Sequence, residues 1–249
     1  MILIKNQKEI DIMREAGRRH AKLMVILNES VKPGITTLDI ELLAQETCKS
    51  LSLDMIQIGY LGYPNAICIG VNDDAEHCIP NKNKLIKNGD LVNIDCAVKY
   101  NGYCSDGGFT KPVGTVDQEG YRLVNTTKLA LDTAVKACVE GNYVNDISKA
   151  IYSIAKLSGY NVLKNYTGHG IGKSMHEDPY IHNYVRFKES ERLESGMTLA
   201  LDTMITEGKG DVYILDDGWS TKTVDGKRFG FFEYTVLVGK DKPEILNQF

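Results

Sequence analysis

The order of apolar and polar positions along the chain predicts helices in pairs, with strands between and after them. From Gln7 to Asn28, Ile10, Met13, Gly17, Ala21 and Met24 recur at three- and four-residue steps with charges between them, the pattern of an amphipathic helix. Pro33-Gly34 breaks the chain. Thr36 with Asp39 three residues on then forms a capping-box pattern, with Asp in place of the usual Glu. Leu38, Leu42, Leu43, Cys48 and Leu51 are the apolar side chains available for the buried face of this second helix. The plan returns weakly in the second half. Residues near Tyr121 to Val139 read as another amphipathic helix, and Gly141 precedes Asp146-Ile147 by the interval that separates Gly34 from Asp39-Ile40. The same shift lays Lys49 on Lys156, and Ile147, Ala150, Ile151 and Ile154 supply an apolar face. Two ordinary helices would give the same short match. A true duplication implies two halves, each a helix pair packed on a sheet.

Short runs rich in β-formers predict strands at Ala66–Val71, Leu91–Tyr100, Tyr103–Val113, Thr198–Met204 and Tyr234–Gly239. Asn101-Gly102 is a two-residue hairpin turn. That turn pairs Tyr100 with Tyr103 and, further along, Ala97 with Asp106. Asp95 lies two residues beyond Ala97 on the same face, so Asp95 and Asp106 are predicted diagonal neighbours, roughly 7–8 Å apart at Cα. No flexible linker or low-complexity run interrupts the chain, and a single domain over 1–249 is expected.

Composition narrows the class. The net charge of −4 offers no basic field for nucleic acid, so no nucleic-acid partner is expected. No apolar run approaches the ~18 residues of a membrane span. Lys5 to Lys22 is dense in charge where a secretion signal would be apolar, so a cytoplasmic protein is expected. Six cysteines without a C-x-x-C pair argue against a structural zinc knuckle and, with no signal, for reduced thiols.

Five metal-capable side chains stand in distinctive settings. Asp95 lies in Val92-Asn93-Ile94-Asp95, Asp106 follows the hairpin turn, and His169 lies in Gly168-His169-Gly170-Ile171-Gly172. Asp202 ends the apolar run Leu199-Ala200-Leu201, and Glu233 opens the last predicted strand. Four carboxylates and an imidazole suit hard divalent metals and the activation of water. Two carboxylates facing each other on an apolar hairpin repel and desolvate poorly unless a cation joins them. The run Gly168 to Ser174 superficially resembles a phosphate-binding loop. However, the first glycine of that motif would have to stand at Thr167, and Pro179 follows too soon for a long helix. Glycines around His169 would instead let backbone approach a ligand closely, and a structural histidine in a glycine turn is the alternative for His169 alone. His77 and His176 also lie in motif-like settings, Glu76-His77-Cys78-Ile79-Pro80 and Met175-His176-Glu177-Asp178-Pro179.

These segments, with Gly62-Tyr63-Pro64 and Asp217-Gly218-Trp219, resemble the bacterial-type type I methionine aminopeptidases over nearly the whole chain. The resemblance implies the α+β pita-bread fold: two pseudo-symmetric halves of helices packed on a curved, mainly antiparallel sheet. It implies two divalent metal ions (Co, Mn, Fe or Zn), with Asp106 and Glu233 bridging them, Asp95 chelating one, and His169 and Asp202 holding the other. It places His176 on the scissile carbonyl oxygen and His77 near the peptide nitrogen. Tyr60, Tyr63, Cys68, Met175 and Trp219 fall where the family builds its methionine pocket, and soft aromatic walls suit a thioether. The implied partner is the N-terminal methionine of nascent proteins or peptides with a small second residue, and a monomer is expected. The chain departs from the family pattern in several places: Asp202 stands for Glu, Thr203 for Pro, Gly107 for a hydroxyl residue, Tyr234 for His and Cys78 for Gly. Asp is one methylene shorter than Glu, which puts its reach to a metal in question. The rival expectation is a non-catalytic or weakly active pita-bread protein that binds peptides or partners.

Overall fold

The computed structural model describes residues 2–185 and 189–249. Helix α1 spans Gln7–Ser30 and α2 spans Thr37–Ser50; α3 spans Gln118–Lys136 and α4 spans Val144–Leu157. Among the described residues the strands are β1 Asp54–Met55, β2 Cys68–Val71, β3 Leu91–Tyr100, β4 Tyr103–Pro112, β5 Asn161–Val162, β6 Thr167–Gly170 and β7 Glu177–His182. They continue with β8 Thr198–Ala200, β9 Thr203–Thr206, β10 Val212–Ile214, β11 Thr221–Thr223, β12 Phe229–Phe232, β13 Thr235–Leu237 and β14 Glu244–Ile245. All named strand pairings are antiparallel. In one sheet β3 lies between β1 and β2 and also pairs β4; another runs β14-β13-β8-β6-β7. Two of the apolar cores among the described residues hold the helix pairs. One joins α1 and α2 to β2 and β3; the other joins α3 and α4 to β8 and β13.

The weak repeat seen in the sequence is a structural repeat. The shift that carries Gly34 onto Gly141 carries α2 onto α4, end for end. Both glycines hold positive φ, at 91° and 93°, where a side chain would be strained. Asp39 accepts a hydrogen bond from the Thr36 N–H at 2.7 Å, and Asp146 accepts one from the Tyr143 N–H at 2.8 Å. Gly34 donates to the Ile86 carbonyl, and Gly141 donates to the Leu193 carbonyl by the same shift. The two halves also clamp each other. Thr235 Oγ1 accepts from the Asp106 N–H at 2.9 Å, and Thr110 Oγ1 accepts from the Phe231 N–H at 2.7 Å.

Several sequence expectations are corrected. The buried face of α2 is Thr37, Ile40, Glu41, Ala44, Thr47 and Cys48, while Leu42 is exposed. Glu41 turns inward because its carboxylate accepts from the Ala66 and Ile67 N–H groups at 2.8 and 3.1 Å. The run Thr198–Met204 is two strands, broken at Leu201-Asp202. The glycine-rich stretch at His169 is strand β6, bulged between His169 and Gly170 and paired on both sides with β7 and β8. Glu233 lies between β12 and β13, not at the start of the last strand, and exchanges backbone hydrogen bonds with Gly108 at 3.0 and 3.3 Å. All six cysteines are free thiols and buried. No helix among the described residues is long and apolar enough to cross a membrane.

Candidate metal centre

The hairpin builds one side of the centre. Asn101 and Gly102 both hold positive φ, and the register pairs Tyr100 with Tyr103, Ala97 with Asp106 and Asp95 with Gly108. Asp95 and Asp106 therefore share a face, as the turn predicted. Asp106 is locked on the backbone side: Thr235 Oγ1 donates to its carbonyl at 2.8 Å and Asn247 Nδ2 at 2.7 Å. Its own carboxylate accepts from the Gly107 N–H at 3.0 Å. Gly107 and Gly108 have physical reasons to be glycine. A Cβ at 107 would come within 2.6 Å of Asn247 Nδ2, and one at 108 within 2.7 Å of the Ile94 carbonyl oxygen. The space that a hydroxyl side chain would take is filled by Asn247, His20 and Phe249.

The second half supplies the other side. The β6 bulge presents His169, whose Nδ1 lies 2.9 Å from the Gly170 carbonyl. A carbonyl only accepts, so Nδ1 carries the proton and the Nε2 lone pair is left for a ligand. That Nε2 is 3.9 Å from Asp106 Oδ2. Asp106, His169 and Glu233 can each offer one atom such that all three lie within 4.8 Å of one another. Asp202, at the β8–β9 break, and Asp95 line the same cleft.

Electrostatics favour a cation here. Burial, followed by the charge of a neighbouring carboxylate, raises Asp106 and Glu233 well above the usual carboxylate range. Burial raises Asp202 as well, and burial with the Glu76 charge raises Asp95. Burial, then the Asp106 charge, pushes Glu76 up to about 8. Burial holds His169 down at about 3 and His77 at about 4, with His176 adding to both, and it lowers His176 too. The imidazoles are therefore neutral, and among the described residues no lysine or arginine lines the cleft. Asp202 Oδ1 and Glu233 Oε1 are buried without a hydrogen-bond partner. Unpartnered buried carboxylate oxygens beside a neutral imidazole fit a divalent cation, which would satisfy them and offset their mutual repulsion.

All twelve residues singled out in the sequence line this one cleft: Asp95, Asp106, His169, Asp202 and Glu233 at one end, with His77, His176, Tyr60, Tyr63, Cys68, Met175 and Trp219 around them. The His169 and His176 rings are 4.3 Å apart, and Tyr60 Oη lies 2.6 Å from His176 Nδ1. Tyr63 meets Trp219 edge-on at 5.2 Å, and the His77 ring lies 6.3 Å from Trp219. His77 holds a positive φ of 55°.

The sequence reading missed four lining residues: Gln57, Leu61, Glu76 and Phe231. Gln57 donates to Asp95 Oδ2 at 3.3 Å and accepts from the Ala97 N–H at 3.2 Å. A lone glutamine outside any motif carries no signal of this. Glu76 carries no signal beyond its place next to His77. The reading also missed Lys5, whose ammonium meets the Glu177 carboxylate at 2.7 Å with both side chains almost fully buried. This ion pair ties the N-terminal segment to the residue after His176.

The comparisons agree with this geometry. Residues 11–240 match the model of metallopeptidase family M24. The chain is 37% identical to a methionine aminopeptidase of Clostridium acetobutylicum over 246 residues, covering 99% of this chain and 98% of that one. It is 35% identical to methionine aminopeptidase 1 of Bacillus subtilis over 248 residues, the full length of both. The crystal structure of the Thermotoga maritima methionine aminopeptidase superposes with a TM-score of 0.97 at 38% identity, over all of both chains. The Pyrococcus furiosus prolidase, at 23% identity and a TM-score of 0.79, shares the fold alone over 99% of this chain and 65% of that one. The α+β pita-bread architecture expected from the sequence is thus the fold of this molecule. Because the family match and the full-length relatives converge on the fold that gathers these carboxylates and imidazoles, the chain belongs to metallopeptidase family M24.

Proposed function

We propose that this protein is a two-metal methionine aminopeptidase that removes N-terminal methionine from proteins and peptides with a small second residue. One observation carries the reading: a single cleft joins a carboxylate-rich, cation-poor end to a wall of Tyr60, Tyr63, Cys68, Met175 and Trp219. Asp106 and Glu233, one from each half, would hold two divalent ions together with Asp95, His169 and Asp202. When bound, the metal pair supplies a nucleophilic water at neutral pH and polarises the scissile carbonyl.

The remaining work falls to the chain. His176, oriented by the Tyr60 hydroxyl, donates to the carbonyl oxygen as charge develops on it. That role needs a proton on the nitrogen facing the substrate, and the Nδ1 contact to Tyr60 fixes which nitrogen this is. His77 stands near the peptide nitrogen, held by its edge-on contact with Tyr166 at 5.2 Å. The thiol, thioether and aromatic faces of the wall suit an unbranched thioether side chain.

The chain would work as one catalytic domain, as a monomer and in the cytoplasm. The non-catalytic alternative gains no support from the full-length relatives. The test is hydrolysis of Met-Ala-Ser by chelator-treated protein reloaded in turn with Mn, Fe, Co and Zn. Metal-dependent release of methionine is expected, and no release with any ion would defeat the reading.

A further inference from the structure

We propose that Asn247 is a positioning residue for the metal centre, a clasp that holds Asp106 and the Glu233 segment at a fixed separation. The inference rests on the aminopeptidase reading above and adds to it a residue that does not line the cleft. Asn247 lies just beyond β14 and is fully buried. Its Nδ2 donates to the Asp106 carbonyl at 2.7 Å, and its Oδ1 accepts from the Thr235 N–H at 2.8 Å. A carbonyl only accepts and a backbone N–H only donates, so these two contacts fix which way the amide faces. The same Nδ2 lies 3.3 Å from His20 Nδ1 on α1. One side chain therefore joins the backbone of Asp106, from the first half, to the strand that opens two residues after Glu233 in the second.

The Asp106 backbone needs such support. Gly107 and Gly108 follow it and bring no side chain to steady the strand. Glycine leaves the backbone freer than any other residue does, whereas metal–ligand distances tolerate only about 0.2 Å of error. The Asp106 carbonyl is instead held twice from outside its own strand, by Asn247 and by Thr235 Oγ1 at 2.8 Å.

The amide and the missing side chain are complementary. A Cβ at 107 would come within 2.6 Å of Asn247 Nδ2 and within 3.3 Å of His20 Cε1. Position 107 gives up its side chain, and Asn247 takes the space. Phe249 packs on Phe109 at 6.0 Å and on Tyr234 at 5.4 Å, so the segment is anchored on both halves.

The test titrates Mn into chelator-treated wild type and variants by calorimetry, with Met-Ala-Ser kinetics alongside. Asn247→Ala should weaken metal binding by about 10–100-fold, the range for losing a group that orients a ligand. At saturating metal its kcat should fall while KM holds within about twofold, because the wall that binds methionine is untouched. Gly107→Ser pushes on the amide from the other side and should weaken metal binding too, which keeps the proposal testable if Asn247→Ala does not fold. The two changes together should cost at least about fivefold less than the product of their separate losses, the coupling expected of residues in contact. Phe249→Leu, a packing change in the same segment that keeps the amide, should bind metal as wild type does. Native metal affinity in Asn247→Ala or Gly107→Ser overturns the proposal, as do strictly multiplicative losses in the pair. So does an equal loss in Phe249→Leu, which would make the effect one of packing alone. Wild type that binds metal yet cleaves no Met-Ala-Ser with any ion overturns the parent reading instead, and the variants' metal affinities still decide the clasp.

Discussion

The two halves of the molecule use one scaffold for two different tasks. The shift that superposes α2 on α4 also carries Asp95 onto Asp202, so each half contributes an aspartate from the same place in its repeat. Asp95 sits within the long strand β3, and Gln57 donates to it at 3.3 Å. Asp202 falls where the matching strand breaks between β8 and β9, and its Oδ1 has no partner. The first half therefore presents a pre-held carboxylate. The second presents one with a bare oxygen, next to an imidazole that the first half lacks at the matching place. The structural repeat supplies the frame, and the differences between its copies make the two aspartates unequal.

The strongest way to break this comparison is to remove a group on which both halves converge. Asp106→Ala should cut kcat/KM for Met-Ala-Ser by about 10³-fold or more, the equivalent of roughly 4 kcal/mol of transition-state stabilisation. Near-native turnover with metal present would show that the halves do not share a bridging carboxylate. The cleft walls give a second, smaller effect. Tyr60, Tyr63 and Cys68 come from the first half, Met175 and Trp219 from the second, and together they should favour Met-Ala over Leu-Ala peptides by about 10–100-fold in kcat/KM. Equal rates would remove the methionine pocket from the account.

The comparison itself is sharpened by lengthening each aspartate in turn. Asp202→Glu restores reach to the bare ligand and should tighten metal binding and raise turnover by about tenfold, the lower end of what ligand surroundings can shift. Asp95→Glu, in the pre-held position, should lower both. Metal titration and peptide kinetics on the two variants decide: a drop in both quantities for Asp202→Glu would mean that the short side chain already fits its site.

The smallest effect is on stability. Glu76, at about 8, and the raised Asp106, Asp202 and Glu233 bind protons more tightly folded than unfolded. Their stabilising contribution is whole below the ordinary carboxylate range and is lost as pH rises through the folded values. The depressed histidines act oppositely, but only below their unfolded pKa of about 6.5. Metal-free protein should therefore lose a few degrees of melting temperature, about 2–5 °C, between pH 6.5 and 8, and bound metal should remove that slope. A metal-free protein that becomes more stable over this interval would contradict the buried-carboxylate picture.

Local rules explain what could be read from the sequence. Asn-Gly turns have few alternatives, so the hairpin register and the Asp95–Asp106 pairing were legible. So was the capping box that starts α2. The face of α2 was not, because Leu42 is surface and the inward stripe is set by Glu41 reaching two backbone N–H groups far along the chain. Strand β6 was not legible either. Gly168 and Gly170 have poor β-propensity, and the strand exists because β7 and β8 pair with it on both sides. That twelve residues would gather in one cleft was legible because motifs flank them. Gln57 and Glu76 act through tertiary placement alone.

The most direct test of the central claim is to titrate metal into chelated protein while counting bound ions and following Met-Ala-Ser cleavage. Activity should be absent without metal and should appear as the ions bind, with saturation at two per chain in wild type and fewer in Asp106→Ala. Full methionine release by protein that holds no divalent ion would contradict the account.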